Sequence, residues 1–165
     1  MKIGNFYEVL STISNWAPHK LTEINGDEYK FENLNNQKIS VVTKGFREIP
    51  ISPTHLKRLG FEDDALEGVY VLPMFEILAK ELISLSHIYF GHIIFHKDDL
   101  VDFQKTYNAV RVEILAKYDA EGEITSDFFY EIKRKMKNVS NINELFERLD
   151  SYNIIVEDKE NIITG

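Results

Sequence analysis

The apolar residues of this 165-residue chain change their period partway along it, and that change restricts the fold more than any other feature. From Lys20 to Ile51, residues Leu21, Ile24, Tyr29, Phe31, Ile39, Val41 and Ile49 stand among polar neighbours in the two-residue rhythm of strands with one buried face. Beyond Lys97, residues Leu100, Phe103, Tyr107, Val110, Ile114 and Tyr118 recur at three- and four-residue steps, the rhythm of a helix with one buried stripe. Strands gathered in one part of a chain and helices in the other predict the α+β class, because a parallel α/β sheet needs the two periods to alternate.

Local signals place the elements. Phe6, Val9, Leu10 and Ile13 are spaced as on a short helix that Pro18 would end near Trp16. Asn25-Gly26 and the stretch from Asn33 to Gln37 are turns, so residues 20 to 51 read as an antiparallel meander. Ser52-Pro53 starts a helix of barely two turns that suits an end at Gly60. Pro73 opens a central apolar helix carrying Phe75, Leu78, Leu82 and Leu85. Further helices are predicted from Asp98 to Tyr118, from Ser126 to Met136 and from Asn141 to Tyr152, with a terminal hairpin over Ile154 to Thr164. The acidic run Glu62-Asp63-Asp64 crosses no apolar period and is the natural linker. It suggests a β-rich module over 1–64 and a helical module over 65–165, with one continuous compact domain as the alternative.

Composition narrows the function. With 44% apolar and 12% aromatic residues the chain can close a core, which excludes wholesale disorder. Without a single cysteine it can build neither disulfides, nor thiolate zinc sites, nor a cysteine nucleophile, and it is compatible with a reducing cytoplasm. Glu8 falls where a secretory leader would need an unbroken apolar run, and Glu76, Lys80 and Glu81 interrupt the longest apolar stretch. The expectation is therefore a cytoplasmic protein that neither carries a leader nor enters a membrane. A net charge of −8 repels nucleic acid and anionic lipid at long range.

The order long helix, connector at Glu123-Ile124-Thr125, helix, turn, helix and hairpin resembles a winged helix-turn-helix domain over residues 98–165. The resemblance implies that Ser126 to Met136 is the second helix, Asn141 to Tyr152 the recognition helix and Ile154 to Thr164 the wing. In DNA-binding members the recognition helix meets phosphates, yet here its exposed face would carry Glu144, Glu147 and Asp150 against Arg148 alone. The sign favours a protein-docking use. The stretch from Ile49-Pro50-Ile51-Ser52-Pro53 to Leu59-Gly60-Phe61 also looks like a segment of uncharacterised phage and mobile-element proteins.

No catalytic constellation emerges. No serine sits in a Gly-x-Ser-x-Gly elbow, and the eight glycines are scattered through turns rather than gathered in a phosphate loop. His87, His92 and His96, followed by Asp98 and Asp99, have a spacing that zinc would accept, but histidines among Ile88, Phe90, Ile93 and Phe95 suit a core edge equally. The basic cluster Lys133-Arg134-Lys135 with Lys137 reads as a solvated helix face, and Tyr29, Phe31, Phe46 and Trp16 as the apolar side of the sheet.

The expectation is a small acidic, non-catalytic protein without cofactor that binds a basic protein surface as an inhibitor, immunity or regulatory factor. Its contacts would be Asn141, Asn143, Glu144, Glu147, Arg148 and Asp158. The alternatives are a DNA-binding winged-helix regulator and a metal-dependent enzyme. The outer side of the helix at 98–118 would be a homodimer surface.

Overall fold

The computed structural model describes residues 1–12, 14–63, 70–72, 92–95, 97–118, 126–136 and 138–165, and the fold is α+β. It divides into two compact units, Met1–Leu59 with Val139–Gly165, and Gly60–Asn138. This division differs from the sequential split at residue 64, because the last 27 residues pack onto the N-terminal sheet instead of following the helices that precede them. The apolar helix from Pro73, Asp64 of the acidic run and the connector at Glu123-Ile124-Thr125 lie outside the described residues, whereas Glu62 and Asp63, expected to be linker, are paired in a strand.

The first unit is built on strands β1 (Phe6–Thr12), β2 (Asn15–Asn25), β3 (Glu28–Asn33), β4 (Ile39–Val42) and β5 (Phe46–Glu48), all antiparallel, in the order β4-β3-β2-β1-β5. The predicted meander is thus present, and the predicted N-terminal helix is instead its fourth strand. Phe6 and Tyr7 explain the misreading: they point to opposite faces, and both are buried, so the strand has no polar face there to reveal a period of two. Pro18, expected to stop a helix, lies inside β2. Its missing N–H falls on the β3 side, where β3 has already ended opposite His19 and Leu34 N–H reaches back to Pro18 C=O, so no ladder bond is lost. A two-residue loop, Gly26-Asp27, joins β2 to β3 with Gly26 at φ +60°, a value that glycine adopts without strain.

The sheet curls strongly. Phe46 on β5 packs its ring 4.9 Å from Tyr29 and 5.5 Å from Phe31, both on β3, although two strands intervene. The curl encloses Tyr7, Val9, Leu21 and Phe31, with Phe31 and Leu21 wholly buried, and Tyr29, Val42 and Phe46 closing the rim. Burying a side chain of this size contributes about 1.5–3 kcal/mol. Tyr29, Phe31 and Phe46 thus form the apolar side of the sheet as expected, and the remaining ring of that group, Trp16, lies under the Arg47 guanidinium at 4.2 Å.

Helix α1 (Pro53–Arg58) starts as the sequence predicts. Ser52 Oγ accepts from His55 N–H, the His55 ring accepts from Ser52 N–H, and Gly60 follows at φ +87°.

In the second unit, β6 (Glu62–Asp63) pairs antiparallel with β7 (Tyr70–Val71), which pairs parallel with β8 (Ile93–Ile94). Helix α2 (Lys97–Tyr118) buries Phe103, Tyr107, Val110 and Ile114, the stripe read from the sequence. Helix α3 (Ser126–Lys135) turns Ile132 inward and is tied to α2 by Lys135 Nζ, 2.5 Å from Glu113 Oε2.

Back in the first unit, α4 (Ile142–Ser151) buries Ile142, Leu145, Phe146 and Leu149, and α5 (Lys159–Thr164) follows. The expected terminal hairpin is this helix. Asp158 caps it by accepting from Asn161 N–H at 3.0 Å, Ile163 is buried, and Arg58 donates to Ile162 C=O at 2.9 Å. Residues 98–138 and 139–165, which the winged-helix resemblance joins in one lobe, belong to different units.

A candidate interaction surface on the C-terminal segment

Helix α4 replaces the end of a strand. β5 leaves the sheet after Glu48, which deprives Phe6 of the partner that Ile49 would supply, and Pro50, next in line, has no N–H to give. Asn143 takes that place: its Oδ1 accepts from Phe6 N–H at 2.9 Å, and its Nδ2 donates to Phe6 C=O at 2.7 Å and to Glu48 Oε2 at 3.0 Å. Ile142 N–H meanwhile donates to the displaced Ile49 C=O at 2.9 Å. A carboxamide carries the same donor and acceptor as a peptide group, which is why asparagine can complete a β-ladder. Phe146 then lays its ring edge-on against Phe6 at 6.1 Å.

Asn143, expected among the partner contacts, is therefore only 7% exposed and fully committed inside the fold. The sequence held a signal for this, since Asn143 stands three residues before Phe146 on the buried side of the helix. Asn141 is the N-cap, accepting from Glu144 N–H at 3.0 Å, and the Glu144 carboxylate accepts from both Ser140 N–H and Ser140 Oγ. Arg148 is half-buried with its guanidinium 5.8 Å from the Tyr152 ring. Glu144, Glu147 and Asp158 are exposed, as expected.

What these positions share is sign. Residues 139–165 carry Arg148 and Lys159 against Glu144, Glu147, Asp150, Glu157, Asp158 and Glu160. Two of the acids meet cations from the sheet side: Glu147 lies 3.7 Å from Lys2 and Glu160 lies 2.9 Å from Lys20. Both pairs are solvent-exposed, so each contributes about 1 kcal/mol or less and leaves its carboxylate open to competition. Between the N-terminal segment and α4 runs a shallow cleft of about 140 Å³, floored by Phe146, whose rim sets Lys2 and Lys159 against Glu147 and Asp150. With cations and carboxylates matched there, the cleft selects no charge. The negative bias is that of the segment as a whole, six acids against two bases, with Glu147 and Asp150 facing water from the cleft's rim.

The other candidates separate. His92 is buried beside Phe103, ring centres 5.5 Å apart, while His87 and His96 lie outside the described residues. Among the described residues, no group of three or more His, Asp or Glu side chains could hold a metal ion. In the basic cluster, Arg134 is 2.8 Å from Glu131 and Lys135 is held by Glu113, so neighbouring acids offset both cations. The outer side of α2 exposes Val101, Val112 and Leu115, separated by Lys105 and Asn108. Among the described residues, no helix is long and apolar enough to cross a membrane. No family model matches the chain, and comparison with curated proteins and with solved structures likewise finds no match.

Proposed function

We propose that this chain is a small, non-catalytic binding protein whose acidic C-terminal segment docks on a basic protein surface, acting as an inhibitor, immunity or regulatory factor. One observation carries the reading: α4 is anchored from beneath by Asn143 and Phe146, which leaves Glu144, Glu147 and Asp150 on its outer side, with Glu157, Asp158 and Glu160 following. A rigid support matters because an ordered, pre-positioned charge loses less entropy on binding than one on a mobile tail. Carboxylates on such a ridge speed encounter with a basic partner and exclude acidic ones, including duplex DNA with its charge every ~1.7 Å.

The test is affinity capture from the native cell with the wild-type chain and with the double variant Glu147→Lys/Asp150→Lys, each at low and high salt, followed by mass spectrometry. The expected result is a protein of basic surface retained by the wild type, released by salt and lost from the variant. Equal capture by both chains, or recovery of nucleic acid in place of protein, overturns the proposal.

A further inference from the structure

The two edges of the five-stranded sheet are treated differently. β5 is only three residues long and runs into Pro50, which meets Asn141 in an isolated bridge, so this edge is short and blocked at its end. β4 has no such protection: Ile39-Ser40-Val41-Val42 contains no proline, no bulge and no charge. Its hydrogen-bond parity follows from Asn33 N–H donating to Lys38 C=O, which puts Ser40 and Val42 in bonded pairs with β3 and turns the N–H and C=O of Ile39 and Val41 outward. Among the described residues, no hydrogen bond reaches those four groups. The side chains of Ile39 and Val41 are also 51% and 58% exposed, side by side on the outer face.

We propose that β4 is an interface between two copies of this chain, paired antiparallel about a two-fold axis at Ser40. Three registers bring outward backbone groups together, and the sequence favours one of them. Setting Val41 opposite Val41 of the second copy also sets Lys38 directly against Lys44, twice, which like charge opposes. Setting Ile39 opposite Ile39 forces Val41 against Gln37, whose φ of +57° is not extended. The remaining register pairs Ile39 with Val41 and Val41 with Ile39, places Lys38 opposite Val42, and joins four apolar side chains into one cluster. Four outward groups on each copy satisfy one another, and because β5 is blocked the assembly closes at two instead of growing into a ribbon. The interface is small, so the dimer is weak and concentration-dependent. Each copy carries a net charge of −8, so salt strengthens it by screening, whereas salt weakens the acidic docking proposed above. The two proposals therefore fail independently.

Sedimentation equilibrium of the full chain from about 10 µM to about 1 mM, in low and high salt, is the first measurement. The expected mass rises from 19.2 kDa towards twice that value, more steeply in high salt, and Ile39→Lys holds it at the monomer with unchanged circular dichroism. The natural absence of cysteine supplies the second measurement. In the proposed register Ser40 faces Ser40 in a non-bonded pair, the geometry a cross-strand disulfide accepts, so Ser40→Cys oxidises to a covalent dimer faster than Asn36→Cys in the neighbouring turn. A monomer at about 1 mM in both salts, a dimer that survives Ile39→Lys, or equal oxidation of the two cysteine variants overturns the proposal.

Discussion

Replacing Asn143 with alanine should destabilise the first unit far more than an ordinary helix-surface substitution. The carboxamide satisfies both the N–H and the C=O of Phe6, a residue 4% exposed, so its removal takes the partner from two backbone groups at once. Each orphaned buried polar group costs about 1–3 kcal/mol, so two cost about 2–6 kcal/mol, and the half-buried contact with Glu48 adds a smaller amount. Taking about 3 kcal/mol and a urea m-value of about 2 kcal/mol/M, the midpoint falls by about 1.5 M. Trp16, the single tryptophan, sits in the same unit, so its fluorescence follows the relevant transition without interference from residues 60–138. Asn143→Asp should be worse still at neutral pH, since it turns a second carboxylate towards Phe6 C=O and Glu48, and should recover partly in acid. A loss below about 1 kcal/mol for Asn143→Ala would refute the ladder-completion account.

Three further outcomes are expected. Phe31→Ala, at a wholly buried ring in the curled sheet, should cost about 3–5 kcal/mol by the same fluorescence measurement. Asp158→Ala should cost about 0.5–2 kcal/mol and fray α5, seen as faster amide exchange at Asn161 and Ile162, because it removes the acceptor for Asn161 N–H. Burial and the Arg58 guanidinium push His55 below the ordinary imidazole value against the opposing pull of Glu8. The unfolded chain therefore takes up the proton first, and stability is full above about pH 6.5 and declines as the pH falls from there towards the folded value. His55→Gln, which can still accept from Ser52 N–H, should flatten that decline in urea midpoints measured between about pH 7.5 and about pH 5.

Elements whose signals are local were legible in the chain itself. The antiparallel meander, the Ser52-Pro53 start of α1, the buried stripe of α2 and the inward side of α4 each follow from spacing over a few residues, because burial on one face imprints a period. The exposed acids Glu144 and Glu147 were visible for the same reason, as polar positions out of phase with that stripe. Phe6 to Leu10 misled because a strand covered on both faces at its start shows no alternation, and Ile154 to Thr164 because apolar triplets flanking charge suit a hairpin as well as a capped helix.

Which parts of the chain come together is a different kind of fact. That residues 139–165 complete the N-terminal sheet, that Asn143 supplies the missing ladder partner of Phe6, 137 positions away, and that Phe46 reaches β3 across two strands depend on contacts distant in sequence. Local period records only that a side chain is buried, never against what. The composition alone settled the absence of thiol chemistry and the negative charge. The curl of the sheet and the seat of α4 decided which carboxylates face water and which edge of the sheet was left open, since both are set by packing summed over the whole unit.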